Sequence, residues 1–131
     1  IQDRVNAIFT LVSCRFHEFV TPPQLYPRFL EAATGRSLSL ADFERLGERI
    51  WNLEKLFNLG AGFGRKDDCL PERCYEPVQG PNSEGAVIER DRFEALLDEY
   101  YQLRGWDPEG VPTQAKLREL GIEGYAPLAG R

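Results

Sequence analysis

The sequence predicts an all-α fold, an irregular multi-helix array with a long ordered loop at about residues 60–90. Three observations predict it. Apolar residues recur every three or four positions across residues 40–58 and 92–103, the stripe of helices with one buried face. Capping residues Ser39, Asp91 and Thr113 and stop glycines Gly35, Gly105 and Gly121 bracket these and the neighbouring segments. No internal repeat and no convincing hairpin signal interrupts the pattern.

The first segment, Gln2 to Cys14, places Val5, Ile8, Phe9, Leu11 and Val12 on a stripe that suits a buried helix. Its β-branched residues leave a strand open as the alternative. Thr21 is a good N-cap and Pro22 suits a first helical position, so a second helix is expected from Pro22 to Ala33. Leu25, Phe29, Leu30 and Ala33 would be its inner face. Ser39 opens the strongest helix, Leu40 to Asn58, with core positions Phe43, Leu46, Ile50, Leu53 and Phe57. Asp42 in its first turn complements the helix dipole. Gly60, Gly62 and Gly64 then stop it. From Gly60 to Arg90 no period is visible, and a stretch of that length must wrap the surface as ordered loop or meet an outside partner. Residues 80–85, rich in Gly and polar groups, are the expected mobile tip. Arg92 to Leu103 forms a fourth helix with Phe93, Leu96, Leu97, Tyr100 and Leu103 inward, and Gln114 to Leu120 a short last one.

The 131 residues are one domain's worth, and 42% hydrophobic with 28% charged residues is ordinary for a folded domain, so disorder throughout is excluded. The net charge of −5 without a basic cluster argues against nucleic acid. No apolar run approaches a membrane span. The chain lacks Met and begins with Ile, so it reads as a piece of a longer protein. Three cysteines, Cys14, Cys69 and Cys74, are too few and odd in number for a disulfide scaffold, which fits a reducing, cytoplasmic setting.

Taken residue by residue, chemistry is sparse. His17 is the single histidine, and Cys14 three positions before it could share a helix face with it as a nucleophile pair or as two ligands. Cys69 and Cys74 could hold half a metal site, but no second close pair accompanies them. Asp67 and Asp68 read as solvated or turn-capping carboxylates, or as ion-pair partners of Arg65 or Lys66. The glycines at 60, 62 and 64 follow a helix rather than a strand, so they read as a cap and not as a phosphate cradle.

Several longer runs carry a resemblance. Residues 50–59 read IWNLEKLFNL and residues 62–73 read GFGRKDDCLPER. Residues 97–107 read LDEYYQLRGWD, and GVPT at 110–113 precedes KLRELG at 116–121. With Ala32-Ala33-Thr34-Gly35, and in this order, they resemble the C-terminal region of the tungsten-containing aldehyde:ferredoxin oxidoreductase family. The resemblance implies an all-α C-terminal piece of a subunit that oxidises aldehydes to carboxylic acids. Its full-length form would carry a tungsten (or molybdenum) bis-pterin and a 4Fe-4S cluster, and pass electrons to ferredoxin or another acceptor. The 131 residues alone would hold no cofactor and run no reaction, and would name no catalytic residue. Partners would be upstream domains of the same chain, with a homodimer left open.

Three cluster cysteines are expected upstream, and the family's late Asp-x-x-Gly-Leu-Cys motif supplies the fourth. Cys14-Arg15-Phe16 sits where that Cys belongs, so Cys14 is the implied metal ligand and, with Ser13 beside it, the implied cofactor contact. His17 would be near enough to tune the cluster. The motif's Asp falls on Phe9, its Gly on Val12 and its Leu on Ser13. Either this branch has altered pterin contacts or the register shifts near residue 1. The altered motif favours a second reading, a non-catalytic helical scaffold that kept the architecture and lost the cofactor. A third is an autonomous metal module built on the three cysteines.

Overall fold

A computed structural model describes residues 1–80 and 85–130, with the side chains of Arg15 and His17 outside the described set. Most of the expected tip at residues 80–85, and the tuning role of His17, therefore lie outside the described residues. Among the described residues there are five α-helices: α1 (Gln2–Thr10), α2 (Leu25–Thr34), α3 (Leu40–Gly60), α4 (Arg90–Arg104) and α5 (Gln114–Leu120). Short 3-10 segments cover Arg15–Phe19, Arg65–Asp67, Glu72–Tyr75 and Glu123–Gly130. Among the described residues the β-structure is one isolated bridge, Trp106 to Pro112, so the all-α expectation holds.

The long helix α3 is the spine. Ser39 starts it with a reciprocal cap: Ser39 Oγ accepts from the Asp42 amide at 3.1 Å, and the Asp42 carboxylate accepts from the Ser39 amide at 3.2 Å. One small core forms near its start from Ala7, Ile8, Tyr26 and Phe43, with the Tyr26 and Phe43 rings stacked at 6.0 Å. A second forms at its far end from Leu56, Leu117, Leu120 and Ile122. Gly47 lets α1 cross α3 closely, since a Cβ there would lie 1.6 Å from the Asp3 carbonyl oxygen. Gly60 does the same at the other end, where a Cβ would lie 2.0 Å from the Leu128 carbonyl oxygen. The Glu123–Gly130 segment that presses there has no helical period, and the sequence reading did not anticipate it.

Four element-level expectations are corrected. Helix α1 ends at Thr10 rather than Cys14, because Val12 adopts a left-handed backbone with φ 55°. Helix α2 begins at Leu25, not Pro22, and Gln24 rather than Thr21 is its cap. Pro23 disfavours the helical region for Pro22, and Pro22 and Pro23 form a turn whose carbonyls receive the Leu25 and Tyr26 amides. Tyr26 and Pro27 are its buried residues, while Phe29 and Ala33 are exposed. On α3 the buried positions are Phe43, Gly47, Asn52, Lys55 and Leu56, and Phe57 is 68% exposed. The stripe is rotated because the closest helix contact falls on Gly47, a residue that apolar counting ignores. Helix α4 starts at Arg90 on a Glu89 cap, and Leu96 and Leu103 face outward.

The described part of the aperiodic stretch, residues 60–80 and 85–90, is tied to the helices at Asp68, which pairs with Lys55 of α3, and at Tyr75, whose ring meets that of Phe93 on α4 at 6.4 Å. Gly62 turns the chain with φ 93°, the two short 3-10 segments follow, and the Val78 amide donates to the Ala86 carbonyl at 2.8 Å.

Candidate functional site

The Cys14 turn lies between α1 and the Arg15–Phe19 segment. The Leu11 and Val12 amides donate to the Ile8 and Phe9 carbonyls, which closes α1. Val12 at positive φ then redirects the chain, so Cys14 emerges as an exposed free thiol. Val12 is the one non-glycine residue at positive φ among the described residues, and it is 96% exposed. Phe9, Phe16, Phe19 and Val20 are exposed around it, a concentration of apolar surface unusual for a free-standing domain. Ser13 is half-buried and lines a cavity of about 470 Å³ shared with Leu11, Thr21, Tyr26 and Phe29. Cys69 is exposed and Cys74 half-buried, both free. Among the described residues no group of three His, Cys, Asp or Glu side chains could hold a metal ion, so the self-contained three-cysteine module has no geometry behind it.

A second constellation was not visible as a site in the sequence. The Asp67 carboxylate accepts from the Gly64 amide at 2.8 Å, as expected of a turn cap, and this turns Asp68 inward. Asp68 pairs with Lys55 of α3 at 2.5 Å, not with the neighbouring Arg65 or Lys66. The Tyr101 hydroxyl donates to the same Asp68 oxygen. Burial, and then the adjacent Asp68 carboxylate, push the Tyr101 hydroxyl well above its ordinary value, so it stays a donor. The Lys55 ammonium also lies 5.2 Å from the Trp106 ring centroid and 5.7 Å from that of Tyr101. The Trp106 indole N–H donates to buried Asn52 Oδ1 at 2.8 Å, and the Asn52 amide donates to the Glu48 carbonyl at 2.9 Å. Arg65, freed from Asp68, clamps α4 by donating to Asp98 at 2.6 Å and Glu94 at 2.8 Å, and to the Pro108 carbonyl at 2.9 Å. The signal that could have found this cluster is its distribution. Lys55, Asp68, and Tyr101 with Trp106 come from three of the runs that carried the resemblance, and they meet at one point.

These side chains floor an open groove of about 1360 Å³ between α3, the Gly64–Leu70 loop, α4 and the last segment. Trp51, Phe57, Phe63, Phe93, Leu97 and Tyr125 form much of its walls. At its far side the Trp51 indole donates to Tyr100 at 2.8 Å, and the Tyr100 hydroxyl donates to Gln2 at 3.0 Å.

Residues 1–122 match the family described as "Aldehyde ferredoxin oxidoreductase, domains 2 & 3". The chain belongs to the aldehyde ferredoxin oxidoreductase family. As the sequence predicted, it corresponds to the C-terminal region of that family. The tungsten-containing aldehyde ferredoxin oxidoreductase of Pyrococcus abyssi is 42% identical over 127 residues, which is 95% of this chain and 20% of the relative. That of Thermococcus kodakarensis is 44% identical over 112 residues, 83% of this chain and 18% of the relative. An aliphatic sulfonate oxidoreductase, WOR-like subunit, from Pyrococcus furiosus is 32% identical over 79% of the chain and 18% of its own length. Among solved structures, the BamBC active-site complex of benzoyl coenzyme A reductase with 1,5-dienoyl-CoA matches with a TM-score of 0.64 and 26% identity, over 81% of this chain and 15% of that one. The chain thus spans about 20% of the length of the aldehyde ferredoxin oxidoreductases it matches. Among the described residues no helix is long and apolar enough to cross a membrane.

Proposed function

We propose that the full-length protein oxidises aldehydes to carboxylic acids, and that this chain gives its 4Fe-4S cluster one thiolate, Cys14. The reaction takes up one water and releases two protons and two electrons; the cluster, when bound, would supply the electron route to ferredoxin or another acceptor. A tungsten (or molybdenum) bis-pterin centre supplies the two-electron oxidation when bound. The setting is cytoplasmic.

The observation that carries the cluster assignment is the turn itself. The family motif has Gly where this chain has Val12, and Val12 holds the left-handed backbone that Gly favours. A glycine at that position would suit the turn that aims Cys14 outward, which supports reading Cys14 in the motif's register. An exposed thiol is free to reach a cluster whose other ligands lie elsewhere. Phe9, Phe16 and Phe19 would keep water from that thiolate and lower the local dielectric. The pterin side fits less well. Phe9 offers no carboxylate, which leaves the Ser13 backbone and hydroxyl as this turn's polar contacts.

That replacement at Phe9 is the observation favouring the alternative, a helical scaffold without cofactor. Metal analysis of the anaerobically purified full-length protein separates them. About four irons with tungsten or molybdenum, and iron lost in Cys14→Ala, are expected. A wild-type protein carrying neither metal would leave the scaffold reading standing.

A further inference from the structure

We infer that the groove over Lys55, Asp68, Tyr101 and Trp106 is an interdomain seat, filled in the full-length protein by an apolar segment from outside these 131 residues with a basic residue at its edge. This goes beyond the proposed reaction and rests on family membership alone. Four observations carry it. The groove, about 1360 Å³, exceeds the ~300–1000 Å³ of pockets that enclose small ligands, and it is open along its length. Phe57 is 68% and Phe63 57% exposed on its walls, with Tyr125 beside them, a cost that a lone domain would carry with no return. The matched relatives hold about four fifths of their length outside the aligned region, so the covering polypeptide is available within the same chain. Finally, Glu54 and Asp67 stand exposed at the rim with no ion pair among the described residues, which favours a cationic neighbour.

The floor is already saturated against itself. Asp68 accepts from both Lys55 and Tyr101, and the Trp106 indole is satisfied by Asn52. The incoming segment therefore meets a finished polar base and gains mainly by covering aromatic wall. A carbonyl-binding substrate pocket would instead present unsatisfied donors at its end.

The test uses the full-length protein with Phe57→Cys, and separately Phe63→Cys, treated with a small thiol reagent and read residue by residue by mass spectrometry. Labelling in the native protein should be at least about 100-fold slower than in urea, because a covered site labels only through opening. A photoreactive group placed at Tyr125 should cross-link within the same polypeptide to a residue outside this region. Labelling of both cysteines at the unfolded rate would overturn the inference. So would a cross-link joining two copies, which would make the groove a self-association surface. A variant that loses its helical circular dichroism is set aside for the other. Tungsten and iron measured in the same preparation keep the two claims apart: a metal-replete protein with a freely labelled groove removes the seat and leaves the proposed reaction untouched.

Discussion

Replacing Asp68 should cost far more than replacing its partner Lys55. Lys55 is 9% exposed, and its ammonium sits against two aromatic rings. Removing one partner of a fully buried ion pair costs about 3–5 kcal/mol, because the other charge is left unpaired. The Asp68 side chain is 35% exposed, so water recovers about half of that loss, leaving about 2 kcal/mol. Asp68→Ala also orphans the Tyr101 hydroxyl, adding about 1 kcal/mol. The sum, about 3 kcal/mol, should lower the Tm of the 131-residue protein by roughly 10 °C. Lys55→Met keeps the apolar stem between the rings and leaves Asp68 with Tyr101 and water, so about 1 kcal/mol is expected. The double variant Lys55→Met with Asp68→Ala should be more stable than Asp68→Ala alone, since no buried charge remains. Urea denaturation of the four proteins gives the cycle directly. If Asp68→Ala proves no worse than Lys55→Met, the pair is a solvated surface contact and the reasoning fails.

Gly47→Ala adds a good helix former, yet it should destabilise by about 3 kcal/mol, because the new Cβ displaces the Asp3 carbonyl and lifts α1 off Phe43; a urea midpoint that rises instead would contradict the close crossing. Val12→Gly should stabilise by about 0.5–1 kcal/mol, since it relieves a left-handed β-branched residue and gives up no burial; calorimetry reads it. Asp42, through the Ser39 side-chain and backbone hydrogen bonds, and Glu119, through Lys116, are held below the ordinary carboxyl values of 3.8 and 4.5. Groups lowered in the folded state contribute stability that is present above those values and lost as the pH falls through the folded ones. Urea midpoints should therefore drop in acid, and Ser39→Ala should flatten part of that drop.

Elements whose ends are written in local chemistry were legible. Ser39 with Asp42, and Thr113 with Gly121, placed α3 and α5 to within two residues, and Gly105 placed the end of α4 to within one. Elements decided by contact were not. Nothing local marks Val12 as left-handed, because the residue that usually signals that backbone is glycine. Two prolines in a row read as a helix start when only the first is considered. The α3 stripe was misread because its tightest contact is a glycine and two of its buried residues, Asn52 and Lys55, are polar or charged. Their burial depends on Trp106 and Asp68, which are distant in sequence. For the same reason the ionic cluster stayed hidden although three recognisable runs contained its members. The cluster-ligand reading of Cys14 rests on resemblance, and the fold adds the turn that exposes it.

The most direct measurement is the alkylation of Cys14 in the full-length protein before and after the iron is stripped with a chelator. Cys14 should be protected while iron is bound and should react once it is removed, with Cys69 as the internal comparison whose rate does not follow the iron. Equal reactivity of Cys14 in the iron-loaded and stripped protein would contradict its role as a cluster thiolate.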